Sequence, residues 1–293
     1  MRQNSREMDQ QIERQSISST PLTHRRSRKR RAANAAVTGL ILWAALAYLA
    51  LPMFWRHDEA QKGIAGKPMV TRTTDGIPGD PINFGIVGSE SEIVCAFNDA
   101  GWSAANPVTL ETSLRIIGSV ALRKPYPAAP VSPLFYDRRQ EDLAFEKAAG
   151  DSADRRHHLR LWRVLQSGDE KRPVWLGSSS FDRGVGLSHY TLQVTHHISP
   201  DLDAERDFVV SQLASAGMVE RMYEIPGVGP TLNGHNGGGD RYFTDGEAKI
   251  VVLPPACKAR AEMDAPRPGE PWQTRFKNAI WSVLRRAMTL VTT

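Results

Sequence analysis

A run of 24 residues without a charged side chain, Ala32 to Trp55, follows the basic cluster Arg25, Arg26, Arg28, Lys29, Arg30 and Arg31. A helix of that length reaches roughly 36 Å at about 1.5 Å per residue, enough to cross a hydrocarbon layer of about 30 Å. Cationic flanks stay on the cytoplasmic side. Residues 1–31 are therefore expected inside as a disordered basic tail, 32–55 as a transmembrane signal anchor, and the chain from Arg56 onward outside the cytoplasm. Trp55 suits an aromatic anchor at the outer interface. The competing reading is a cleaved signal peptide, because the most apolar part, Val37 to Leu51, is short and contains Ala45-Leu46-Ala47. A leader of 31 residues is long for that, which favours an uncleaved anchor. The expected location is a cell membrane crossed once, with bilayer lipid as a partner and other envelope proteins as further candidates.

The excess of 37 Lys and Arg over 32 Asp and Glu suggests nucleic-acid chemistry until its distribution is examined. Nine basic and three acidic side chains fall in residues 1–31, leaving 28 against 29 for the rest. The positive charge is topological, and a nearly neutral outer domain has no electrostatic footprint for DNA or RNA. The two cysteines, Cys95 and Cys257, can pair in an oxidising compartment. Cys95, however, sits in Ile93-Val94-Cys95-Ala96-Phe97, where a small buried apolar residue is the ordinary expectation. Two such cysteines make no zinc site.

Residues 56–78 carry Gly63, Gly66, Pro68, Gly76 and Pro78 without sustained periodicity and read as a linker. Residues 79–255 are enough for one domain with its own core. Pro81 to Gly88 reads as a strand, and Ser89 with Glu92 forms a capping box for a helix running to Gly101. Thr112 to Arg123 predicts a second helix. Strands are expected at Pro133–Tyr136, Leu143–Lys147, His157–Leu165, Val174–Phe181 and His189–Ile198. Ser199-Pro200-Asp201 opens a helix that Gly217 ends, with Asp201, Asp203 and Glu205 near the positive end of its dipole. Two further strands, Val219–Ile225 and Glu247–Leu253, frame a hairpin-like loop rich in glycine. The pattern predicts an α+β domain with one mixed, mainly antiparallel sheet and packed helices. In the tail, 256–293, Trp272 to Val291 form a basic amphipathic helix that either lies on a membrane surface or packs on its own domain or a partner.

Histidine placement is the feature that hints at a reaction. His157-His158 and His196-His197 are adjacent pairs on expected strands, where neighbours face opposite ways. His157 then joins Leu159 and Leu161, and His158 joins Arg160. His196 joins Leu192 and Val194, and His197 joins Thr195 and Gln193. If the strands are neighbours, His158, Arg160 and His197 converge on one polar face, with Asp182, Arg183 or Asp201 from flanking loops. Imidazoles with arginines can hold a phosphate and shuttle its protons. A metal is not predicted, since His189 and His197 lie about 26 Å apart along a regular strand. No cofactor is expected. The plainer reading makes the histidines structural donors and Asp203, Glu205 and Asp207 a solvated helix turn.

The blocks GDPINFGIVGSESEIVCAFNDAGW from Gly79, SLRIIGSVALRKPYPAAPVSPLF from Ser113, RRHHLRLW, FDRGVGLSH from Phe181 and THHISPDLDAERD from Thr195 together resemble the LssY C-terminal domain family. The resemblance implies a domain without an assigned reaction, sometimes joined to multi-spanning membrane modules that include phosphatase-like ones. With one expected span, this chain does not inherit a phosphatase activity, and no catalytic residues map onto it. The sequence thus points to a membrane-anchored binding or envelope-assembly protein. The alternative is a hydrolase or phosphoesterase using His158, His197, Arg160 and Asp182, with the ligand unidentified.

Overall fold

The computed structural model describes residues 23–46, 48, 63–64, 66–105, 133–150, 155–259 and 272–292. The predicted helix at 112–123 lies outside them. The chain divides into two compact units, Met1–Trp55 and Arg56–Thr293.

In the first unit, helix α1 (Thr23–Ala45) begins two residues before the basic cluster and nine before the expected start of the span. Arginine and lysine are good helix formers, so the charges do not delay it. Only its part from Ala32 to Ala45 belongs to the uncharged run, about 21 Å of rise. Among the described residues no helix is long and apolar enough to cross a membrane. The outer part of the expected span lies largely outside them. Val37, Leu40, Ile41, Leu42 and Trp43 of α1 are each more than half exposed.

The second unit is α+β. Strands β1 (Val70–Arg72) and β2 (Pro78–Pro81) form a small antiparallel sheet with β5 (Phe135–Tyr136) and β6 (Arg139–Gln140), in the order β2-β1-β5-β6. Both β1 and the start of β2 fall where a linker is expected, and Ile64 is fully buried with them. The domain thus begins earlier than its composition indicates, because two short strands need little periodicity to pair. The large sheet contains β3 (Phe84–Val87), β4 (Ser103–Ala104), β7 (Leu143–Ala148), β8 (Arg156–Leu165), β9 (Val174–Leu187), β10 (Val194–Ile198), β11 (Arg221–Pro226) and β14 (Glu247–Val252). Its path is β11-β14-β3-β9-β8-β7-β4, with β10 paired to the far end of β9. The β14–β3 pair is parallel and the others antiparallel. Strands β12 (Thr231–His235) and β13 (Arg241–Thr244) form the glycine-rich hairpin.

Alternation along the strands divides the apolar side chains between two cores. One face carries Phe84, Ile86, Leu159, Leu161 and Trp175 against helices α2 (Glu90–Asp99) and α3 (Leu202–Ser215). The other carries Trp162, Val174, Leu176 and Ile250 against Ile82, Leu134 and Tyr136 of the small-sheet region. The expected capping box opens α2: Ser89 Oγ accepts from Glu92 N, and Ser89 N donates to Glu92 Oε2 at 2.7 Å. Glu92 also accepts from Arg172 at 2.7 Å and from Ala256 N at 2.8 Å. Burial pushes the Glu92 carboxyl up, but these donors outweigh it and hold it at about 2. The same region joins Cys95 to Cys257 in a disulfide across 162 positions, so Cys95 is not the free apolar residue its neighbours suggest.

Helix α3 is capped by Asp201, which accepts from Ala204 N, and not by Ser199. Its acidic turn is not solvated. Asp203 and Glu205 are buried, as is Arg206, whose guanidinium grips Asp245 at 2.7 and 3.0 Å and lies 3.4 Å from Asp203.

The C-terminal helix α4 (Trp272–Thr292) docks on this charged layer. Lys277, Trp281 and Arg285, four apart, share one face. They reach Glu247 at 3.1 Å, Asp203 at 2.7 Å, and Asp201 and Asp207 at 2.7 and 3.1 Å. Phe276, Ile280, Val283 and Leu284 are 48, 47, 66 and 44% exposed. The helix packs on its own domain, but by its charged side.

Burial raises the Glu247 pKa to about 7, opposed by Lys277 and aided by Asp245 and Glu224. A carboxyl with a folded pKa above its unfolded one stabilises the fold fully below about 4.5 and loses that contribution as pH rises through 7. The loss is about 3 kcal/mol. Urea denaturation at pH 5 and pH 8 should therefore show Glu247→Gln free of a decline that the parent protein undergoes. Parallel pH profiles for the two proteins would contradict this assignment.

Candidate functional site

Strand β8 turns its odd-numbered residues to the helices and its even-numbered ones to the small sheet. His157 stacks on Phe208, with ring centroids 4.0 Å apart, and its Nδ1 lies 2.7 Å from Glu205 Oε2. It is a structural histidine. On the other face the apolar surface of Trp162 gives way to Arg160, His158 and Arg156, facing Ser178, Ser180 and Asp182 in register on β9. Arg160, His158, Arg156 and Asp182 form the floor of a cleft of about 270 Å³. Asp80 and Thr73 come from the small sheet and its connection, and Thr191, Gln193 and Asn236 from the loops.

Asp182 lies at the centre of the floor. His158 Nε2 is 2.9 Å from its Oδ1, Arg156 Nε donates to Oδ2 at 3.2 Å, and His196 Nδ1 is 3.9 Å from Oδ2. Burial raises the Asp182 pKa, but His158, His196 and Arg156 outweigh it and hold the carboxyl below the ordinary range. Arg156 also binds Glu146 at 2.9 Å, and Arg160 lies 3.8 Å from Asp80. Burial pushes Asp80 up against the pull of Arg160 and His158, and Asp182 adds to the rise. Ser180 Oγ stands 3.1 Å from His158 Nε2 and donates to Asp80 at 3.4 Å. Two ring nitrogens, His158 Nδ1 and His196 Nε2, are buried without a hydrogen-bond partner among the described residues. Burial lowers the His196 pKa to about 4, with Asp182 opposing and the nearby cations Arg156 and Arg160 reinforcing the shift.

Of the four predicted site residues, His158, Arg160 and Asp182 meet here, although Asp182 is a strand residue and not a loop one. His197 does not. Strand β10 pairs with β9, not β8, and at its base three residues of β9, Asp182 to Gly184, face two of β10, His197 and Ile198. The bulge leaves Arg183 unpaired. Ile198 is the partner of Asp182, so alternation along β10 puts His196 on the Asp182 side, while His197 turns to Asp240, with Nδ1 2.7 Å from Oδ1. A Cβ on Gly186 would collide with the His197 ring, which the bare glycine admits. Arg183 is exposed at the bulge, and Asp201 is committed to the α3 cap and Arg285. Arg156 is a residue that period-two spacing from His158 and Arg160 marks in the sequence. His196 belongs to the second histidine pair but is expected on the apolar side with Leu192 and Val194, and Asp80 has no comparable local signal.

The sequence profile described as the LssY C-terminus matches residues 64–248, which is more than half of the chain. The protein belongs to this family. Neither a curated protein nor a solved structure matches it. The match begins at Ile64, so the LssY C-terminal domain includes β1 and β2, and with Asp80 the wall of the cleft.

Proposed function

We propose that this is a membrane-anchored hydrolase of the phosphoesterase class, held by the segment 32–55 with its LssY C-terminal domain outside the cytoplasm. The observation that carries the reaction is the two-sided environment of His158. Its Nε2 faces the Asp182 carboxylate, which favours the proton on that nitrogen and leaves a lone pair on the unpartnered Nδ1. Such a ring takes a proton from an attacking water while the carboxylate orients it and stabilises the imidazolium. Arg160 supplies positive charge for a phosphoryl oxyanion, and Asp80, whose pKa burial raises, returns a proton to the leaving oxygen. The anchor is supported by the uncharged run, its basic flank and the exposed apolar side chains of α1. A disulfide in the domain fits an oxidising compartment.

Binding without turnover is the second reading. It is favoured by the pairing of Arg156 with Glu146 and Asp182, which balances much of the positive charge internally. The test uses the full chain in detergent, with p-nitrophenyl phosphate and its diester as substrates and calorimetry of inorganic phosphate. His158→Asn should lower kcat/KM by about 10²- to 10⁴-fold, the usual contribution of a positioned acid or base. Its melting temperature should stay near that of the parent. Phosphate binding abolished by Arg160→Gln, with no turnover in the parent, would establish the second reading. Neither turnover nor binding would dismiss both.

A further inference from the structure

Outside the hydrolytic cleft, the hairpin between β9 and β10 and the glycine loop between β12 and β13 bring together His189, His197 and Asp240. The sequence places the two histidines far apart on one strand, but β9 ends at Leu187 and the chain reverses through 188–193, so their rings lie 5.4 Å apart. One nitrogen from each ring and one carboxylate oxygen all fall within 4.8 Å of one another. His197 Nδ1 is 2.7 Å and His189 Nε2 is 3.7 Å from the same Asp240 oxygen, Oδ1.

The surroundings fix that oxygen. Asp240 is 5% exposed, and its second oxygen, Oδ2, accepts from Ile198 N at 3.0 Å, leaving Oδ1 toward the rings. Asn236 Oδ1 accepts from both Gly238 N and Asp240 N, holding the loop in shape. His189 N donates to Gly238 O at 2.8 Å. At Gly239, φ +87°, a Cβ would stand 2.6 Å from the Cβ of His189, so the close approach requires glycine twice over.

We infer that His189, His197 and Asp240 form a binding site for a divalent first-row transition ion of the zinc class, with a coordination position open to solvent beside the exposed His189. Two imidazoles and a carboxylate suit that class, whereas magnesium and calcium take oxygen ligands. Bonds of about 2.0–2.1 Å in a tetrahedral shell place ligand atoms about 3.3 Å apart. The two distances to Oδ1 lie about half an ångström to either side of that spacing, within reach of small side-chain rotations. The backbone donor on Oδ2 is the outer-shell contact that such a carboxylate needs. A bound ion would clasp the two hairpins at the rim of the cleft.

The experiment takes the full chain in detergent, stripped with a chelator, and titrates it with Zn²⁺ by calorimetry and with Co²⁺ by visible absorption. One equivalent should bind at micromolar concentration or tighter, with the intense bands of low-coordinate Co²⁺. Asp240→Asn and His189→Ala should each weaken binding by at least about 100-fold, beyond what loss of an outer-shell contact costs. His235→Ala should leave it unchanged. Failure of the parent to bind below millimolar Zn²⁺, or equal binding by both ligand variants, would overturn the site. Because the readout is metal binding, absence of hydrolysis has no bearing on it.

Discussion

Arg206→Met is expected to destabilise the domain by about 3–5 kcal/mol, a large part of the total for a domain of this kind. The substitution keeps the apolar stem and removes the charge that Asp203 and Asp245 share. Burial drives the Asp203 carboxyl up and Arg206 restrains it. Asp245 is held low by Arg206 despite burial. Without the guanidinium, two buried carboxyls face each other with less compensation, and Glu247 loses a donor to its backbone oxygen. Urea denaturation at neutral pH measures the loss. The double variant Arg206→Met, Asp245→Asn should recover part of it, because an unpaired charge costs more than a missing pair. A change below about 1 kcal/mol in the single variant would mean that α3 and β14 are held by apolar packing alone.

The second large effect belongs to the disulfide. Cross-linking residues 162 apart removes much of the unfolded chain's freedom, and the loop-closure relation gives about 5 kcal/mol. Cys95→Ser with Cys257→Ser should therefore lower the denaturation midpoint strongly and steepen the slope, because the unfolded chain becomes less compact. The pair also reports topology. In intact cells both thiols should resist alkylation, and deletion of residues 32–55 should leave them reduced and reactive in the cytosol. Reactive thiols in the full chain would remove the extracytoplasmic placement.

What the sequence reveals of this fold is local. Ser89 and Glu92 sit three apart, so the cap of α2 depends on nothing distant, and the alternation of β8 separates His157 from His158 and Arg160. The rest depends on partners remote in the chain. Asp203 and Glu205 look like a solvated turn because the groups that pair with them, Arg206 and His157 included, look equally surface-bound until β8, β14 and α4 close over them. The amphipathic character of α4 is plain in its spacing, but not that Lys277, Trp281 and Arg285 face inward, since their carboxylate partners come from β14, α3 and the cap before α3. His197 is expected on the cleft because nothing local shows that Ile198 stands opposite Asp182, and Asp80 is missed because its neighbours read as the start of a strand and not as a wall.

The bulge at Arg183 leaves the second histidine pair where it is. Ile198 stays opposite Asp182 and His197 opposite Gly184 whether or not Arg183 stands between their partners. The surplus residue is slack in the strand beneath: deleting Arg183 should straighten β9 while both rings keep their posts.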